Sequence, residues 1–191
     1  MKYNGIEFDA IVTTPACGKT YLTSKYPDVF VDVDDLRTRL KYYVPEGISY
    51  RELESTKTKR TFEKRLSGEE LDKELNRQID VFLKEGKIML FAPNLSDILV
   101  EKGIKYALVY PDDSAKEDLV SRLITRGNPQ SMVDETIEKF DYFNRLNESE
   151  EFASVKYRFK KGEYLEDIVK KFGIKINKRK SVCINHQEPL I

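Results

Sequence analysis

Three short apolar runs, Val29–Val33, Ile88–Phe91 and Tyr106–Tyr110, constrain the fold of this chain more than any other feature. Each is too short and too apolar for an exposed helix, so each reads as a strand buried on both faces. Phe8–Thr13 and Val155–Phe159 are two further strand candidates. Between the runs lie helical spacings. Leu71, Leu75, Ile79 and Phe82 recur at steps of four and three, and Val133, Ile137, Phe140 and Phe143 follow a similar rhythm. Leu165, Ile168, Val169 and Phe172 make a third apolar stripe. Ser114 and Glu117 have capping-box spacing ahead of Leu119, which predicts a helix start there. Strand and helix in alternation predict an α/β chain whose parallel sheet is covered by helices on both faces.

At 191 residues the chain suits one domain, and the pattern places it over 1–172. The connection from Asp35 to Gly86 is long and predicts a mostly helical insert at about 36–86, with 173–191 as a tail. Lysine plus arginine and aspartate plus glutamate balance at 33 each, which excludes a global field drawing the molecule to nucleic acid or membrane. Cys17, Cys183 and His186 are too few for a structural zinc site or a disulfide framework, so a reducing, cytoplasmic setting is expected. The opening "MKYNGIEFD" lacks the apolar run of a signal peptide, and no run approaches the ~20 residues that span a bilayer.

The stretch "IVTTPACGKTYLT", Ile11 to Thr23, carries the chemistry. It ends as a phosphate-binding loop does, in Gly18-Lys19-Thr20, although Thr13 stands where the pattern has its first glycine. A strand precedes it, and a short helix is expected to run to Tyr26 before Pro27. In that context the residues Pro15, Ala16, Cys17, Gly18, Lys19, Thr20 and Tyr21 are expected to surround the phosphates of ATP. Lys19 supplies charge at the β- and γ-phosphates, and the Thr20 hydroxyl can ligate Mg²⁺. Cys17 is read as filling a small slot, although a thiol beside a helix N-terminus has a lowered pKa.

Strand two ends in "FVDVDDLRTRL", with a helix expected from Leu36 and Arg37. Ligands of open α/β sheets bind beyond the carboxyl ends of strands, so Asp34 should face the loop. One carboxylate there can accept a proton from an acceptor hydroxyl and another can hold magnesium. Either Asp34 or Asp35 is expected to cap the helix. Arg37 can fork onto an acceptor phosphate. After strand four, Arg122 and Arg126 in "LVSRLITRGN" are four apart on one helix face, stopped by Gly127, and suited to closing on a transferring phosphoryl group.

"TPACGKT", "DDLR" and "RLITRG", in this order, resemble the P-loop kinase superfamily, and within it the 5′-polynucleotide kinase domain of phages and related small phage nucleotide kinases. The resemblance covers about 6–172. It implies a three-layer P-loop NTPase fold with a five-stranded parallel sheet in the order 2-3-1-4-5. It implies Asp34 as general base, Arg37 on the acceptor nucleotide's phosphate, and Arg122, Arg126 and Gly127 in a lid. The family often has an aspartate after strand three, where "LFAPNL" has Ala92 and Asn94. Magnesium would then depend on Thr20 with Asp32 or Asp34.

The expected activity is transfer of the ATP γ-phosphoryl group to a nucleotide or a 5′-hydroxyl oligonucleotide. A (deoxy)nucleoside monophosphate kinase and a non-catalytic nucleotide-binding module stay open beside it. The basic segment Ser55–Arg65 can touch acceptor phosphates or form a solvated face, and Tyr42, Tyr43 and Tyr50 can stack on a base or line a small core. The basic run Lys175–Lys180 reads as part of the tail.

Overall fold

The computed structural model describes residues 1–45, 48 and 62–174. Tyr50, Lys57, Lys59, Arg60, Cys183, His186 and the run 175–180 lie outside the described residues, as do 46, 47 and 49–61 of the expected insert.

The chain opens with an antiparallel hairpin, β1 (Lys2–Tyr3) and β2 (Ile6–Glu7), turned through Asn4 at φ 49° and Gly5 at φ 84°. An Asn-Gly pair tolerates positive φ at both positions and matches strand twist. The sequence reading did not foresee this hairpin. The main sheet follows as β3 (Ala10–Thr13), β4 (Phe30–Asp32), β5 (Ile88–Phe91), β6 (Tyr106–Pro111) and β7 (Val155–Phe159). Its spatial order is β4-β5-β3-β6-β7 and every pairing is parallel. The register sets Val12 between Phe91 and Leu108.

The helices are α1 (Lys19–Lys25), α2 (Val33–Lys41), α3 (Gly68–Lys84), α4 (Asp97–Glu101), α5 (Lys116–Thr125), α6 (Gln130–Ser149) and α7 (Leu165–Lys171). Alternation along the strands divides the core between the two faces of the sheet. Ile11, Leu90, Ala107 and Val109 pack with Leu22 of α1 and Leu165, Ile168 and Val169 of α7. Ala10, Val12, Met89, Phe91 and Leu108 pack with Val33 and Leu40 of α2 and Leu71, Leu75 and Ile79 of α3. The sheet is therefore the middle of three layers. Among the described residues no helix is long and apolar enough to cross a membrane.

Two helix starts differ from the sequence reading. Helix α2 begins at Val33 rather than Leu36, and Asp32 caps it: Asp32 Oδ1 accepts the Asp34 N–H at 3.1 Å. Asp35 instead takes Arg39, whose Nε donates to both carboxylate oxygens at 2.9 and 3.0 Å. Ahead of α5, the cap is Asp112, which accepts from the Ser114 N–H and hydroxyl. Ser114 lies inside a short 3-10 turn, Asp113–Ala115, and the expected capping box does not form. In both places the aspartate at the strand end is the one that meets the free amides; at Asp112 a carboxylate also accepts more strongly than the Ser114 hydroxyl, whereas at α2 all three candidates are carboxylates and position decides.

Candidate functional site

A cavity of about 810 Å³ opens beyond the carboxyl ends of β3, β4 and β5. The loop from Thr13 to Gly18 makes its floor. Thr13, where the motif pattern has glycine, is fully buried, and its hydroxyl lies 3.0 Å from Cys17 Sγ. The thiol also donates to the Thr14 carbonyl at 2.9 Å. A side-chain tie thus holds the turn that a glycine would leave to the backbone. Ala16 sits at φ 61° and Gly18 at φ 107°. Left-handed backbone is free for glycine but costs an alanine on the order of 1 kcal/mol, so the loop holds Ala16 under strain. The Cys17 carbonyl accepts the Leu165 N–H at 2.9 Å, which docks the start of α7 on the loop. Glu166 extends that tie to α1 by accepting from Lys25 at 2.8 Å and the Tyr26 hydroxyl at 2.9 Å.

Lys19 opens α1, and its Nζ lies 3.2 Å from Asp34 Oδ2, with side chains 11% and 16% exposed. Burial pulls the ammonium toward losing its proton, but Asp34 first, then Cys17 and Asp32, outweigh it and hold the Lys19 pKa above its usual value. Asp32 lies deeper. Burial pushes its pKa up to about 6, Lys19 opposes that rise, and the Asp34 charge adds to it. The Cys17 thiol is raised by burial, against a smaller opposing pull from Lys19. The lowering expected of a thiol in this loop therefore does not occur.

Arg122 is buried on the wall opposed by α7. Its Nη2 bonds to Asp118 and to the Glu163 carbonyl at 3.0 Å, and its guanidinium lies 3.7 Å from the centre of the Tyr164 ring. Arg126 also lines the cavity: it is the C-cap of α5, with right-handed helical backbone and its N–H on the Arg122 carbonyl at 3.0 Å, so the two arginines lie one turn apart on the same face. Gly127 turns the chain there at φ 71°. Thr14, Pro15, Ala16, Gly18, Lys19, Thr20, Tyr21, Asp32, Asp34, Arg122 and Arg126 all reach the cavity lining. Cys17 packs behind it. Arg37, half-buried on α2, is not brought to the lining.

Sequence reasoning missed Asp118, Asn128, Tyr164 and Glu166, which also line the cavity. None sits in a motif; the folding of α5 and α7 against the loop places them. Among the described residues, six buried side-chain polar atoms have no hydrogen-bond partner. Five of them belong to lining residues: Thr14 Oγ1, Asp32 Oδ2, Arg122 Nε and Nη1, and Asn128 Oδ1. Buried polar groups are costly unless satisfied, so the cavity concentrates donors and acceptors that a polar ligand or water can pair.

No cluster of three or more histidine, cysteine or acidic side chains among the described residues could cage a cation. Asp32 Oδ2 and the Thr20 side chain fit a different arrangement, in which Mg²⁺ takes one or two protein oxygens and completes its shell with phosphate and water. Compared with models of known protein families and with curated proteins, the chain matches none.

Proposed function

We propose that the chain is an ATP-dependent phosphotransferase that moves the γ-phosphoryl group to a nucleotide-type acceptor, the 5′-hydroxyl of a nucleotide or polynucleotide. The observation that carries this reading is the 3.2 Å contact between Lys19 and Asp34. It brings a cation suited to the donor phosphates and a carboxylate suited to an acceptor proton within the width of one phosphoryl group. Backbone amides from Ala16 to Thr20, with the Lys19 ammonium, hold the triphosphate. The incoming anion draws Lys19 off Asp34, and Asp34 then accepts the proton of the acceptor hydroxyl. The hydroxyl oxygen bonds to the γ-phosphorus while the γ-phosphorus to β-bridging-oxygen bond breaks, and ADP leaves with that electron pair. Arg126 and the fixed guanidinium of Arg122 oppose the charge that spreads over the transferring group. Thr20 and Asp32 would hold Mg²⁺, which supplies neutralisation of the β- and γ-phosphate oxygens.

The test is incubation with γ-labelled ATP and Mg²⁺ against nucleosides, nucleoside monophosphates and 5′-hydroxyl oligonucleotides. Label should appear on 5′-hydroxyl acceptors and disappear with Lys19→Ala. Asp34→Asn should lower turnover by on the order of 10²–10⁴. A mild loss in that variant would move the acceptor to an existing phosphate, as in a nucleoside monophosphate kinase. ATP binding without any labelled product would sink the transferase reading and leave a nucleotide-binding module.

A further inference from the structure

Arg122 lines the large cavity, yet most of its donors are covered. Nη2 is engaged twice, by Asp118 and by the Glu163 carbonyl at 3.0 Å, while Nε and Nη1 are buried with no partner. A guanidinium offers five N–H bonds and accepts none, so those on Nε and Nη1 stand idle. The Tyr164 ring lies over the group, its centre 3.7 Å from Cζ. The same ring reaches the phosphate loop: a Cβ placed on Gly18 would stand 3.7 Å from Tyr164 Cδ1. One aromatic side chain therefore touches both the loop and the arginine that an anion on the loop would have to meet.

The backbone around this ring is pinned on both sides. Asp118 Oδ2 also accepts the Gly162 N–H at 2.9 Å, the Tyr164 N–H donates to Asp167 Oδ2 at 3.1 Å, and the Leu165 N–H donates to the Cys17 carbonyl at 2.9 Å. Tyr164 itself is 46% exposed. The ring can thus leave Arg122 by rotating its side chain toward water, with no opening of the turn. A half-exposed ring holds a guanidinium weakly, whereas hydrogen bonds from a guanidinium to phosphate oxygens are among the strong ones. We infer that Tyr164 is a positioning residue that acts through Arg122: it covers the guanidinium until an anion seats on the phosphate loop, and that anion displaces the ring and takes the idle donors. The inference rests on the anion-binding part of the proposed function and not on phosphoryl transfer.

Calorimetry of the full chain with inorganic tripolyphosphate, which has no base to stack on the ring, is the test. A cover lowers apparent affinity by the fraction of molecules in which it is open, so Tyr164→Ala should bind tripolyphosphate about three- to tenfold tighter than the unaltered chain. In an Arg122→Met background the same change should gain nothing. A ring that merely supports the wall gives the opposite sign. The chain has no tryptophan, so Tyr164→Trp sets the sole indole over Arg122. Its emission should move to the red as the indole enters water, and saturate with the calorimetric midpoint. Equal or weaker binding by Tyr164→Ala, a gain that persists in Arg122→Met, or emission unmoved at saturating tripolyphosphate would each overturn the inference. If the transferase reading fails alone, Tyr164→Ala binds tripolyphosphate more tightly and no acceptor is labelled. If the inference fails alone, acceptors are labelled and Tyr164→Ala binds tripolyphosphate no more tightly. Tripolyphosphate that binds neither form overturns both.

Discussion

On one wall of the large cavity, the buried Lys19 ammonium meets Asp34 at 3.2 Å, and Asp32 beside them keeps Oδ2 without a partner. On another, the buried Arg122 guanidinium rests on Tyr164 with Nε and Nη1 without partners. Both walls hold largely buried charge, but the two can respond differently. A carboxylate left alone in a dry place can take up a proton, and Asp32 does so at about pH 6. A guanidinium has no such exit, and stays cationic throughout the range in which proteins fold. The first wall can adjust its own charge, whereas the second, paired with Asp118, keeps a fixed charge with two donors left over for an acceptor.

Three substitutions would break or sharpen that contrast. The largest stability effect is expected from Asp32→Asn. Because the Asp32 pKa rises from 3.8 to about 6 on folding, the unfolded chain binds fewer protons than the native one between about pH 4 and 6. Stability therefore falls as pH rises through that window, and the penalty is complete above it. Asparagine keeps the cap and removes the charge, so it should stabilise the protein by about 2–3 kcal/mol at pH 7 and by almost nothing below pH 4. Urea denaturation at the two pH values, without Mg²⁺, reads this directly. A gain that is the same at both would show that Asp32 is not the adjustable group.

Next comes Arg122→Met, which removes the permanent cation and keeps an apolar stem beneath Tyr164. Removing one partner of a buried ion pair destabilises, and here it leaves the partly exposed Asp118 carboxylate and the Glu163 carbonyl without their donor. Stability should fall by about 1–2 kcal/mol, while calorimetry should show roughly tenfold weaker tripolyphosphate binding, about 1.4 kcal/mol. Collapse of the fold with affinity retained would make Arg122 a strut, and the contrast between the walls would disappear. The smallest effect is expected from Ala16→Gly. Relief of the φ 61° backbone is offset by loss of a buried methyl packed near Leu119 and Leu123, leaving a net change within about 0.5 kcal/mol in thermal unfolding.

What the sequence made legible was set by local rules. The apolar run at 88–91 is strand β5 to the residue, since a short run bounded by polar residues has no other way to hide, and 155–159 is strand β7 to the residue, with Val155 and Phe159 buried and Lys156 and Arg158 exposed between them. The stripe of Leu71, Leu75 and Ile79 is the buried face of α3. Cap choices were less legible, because several candidates stand side by side and geometry picks one: Asp32 over Asp34 or Asp35, and Asp112 over Ser114. The walls of the cavity were least legible. Nothing near Gly18 announces Tyr164, and nothing about Arg122 announces the Glu163 carbonyl. Those partners are distant in sequence, so only the packing of α7 against the loop brings them together. The spacing of Arg122 and Arg126, by contrast, was a local signal, and the two do lie one turn apart, the Arg126 N–H closing on the Arg122 carbonyl at the α5 C-cap.

The bond from the Leu165 amide to the Cys17 carbonyl has a consequence for the chain's synthesis. A turn formed near the start of translation waits for a helix made near its finish before its peptide groups are all pinned. The nascent protein therefore carries an unfinished turn between β3 and α1 until α7 has emerged. Trimming that helix would disarm the turn from the other end of the sequence without altering any residue in it.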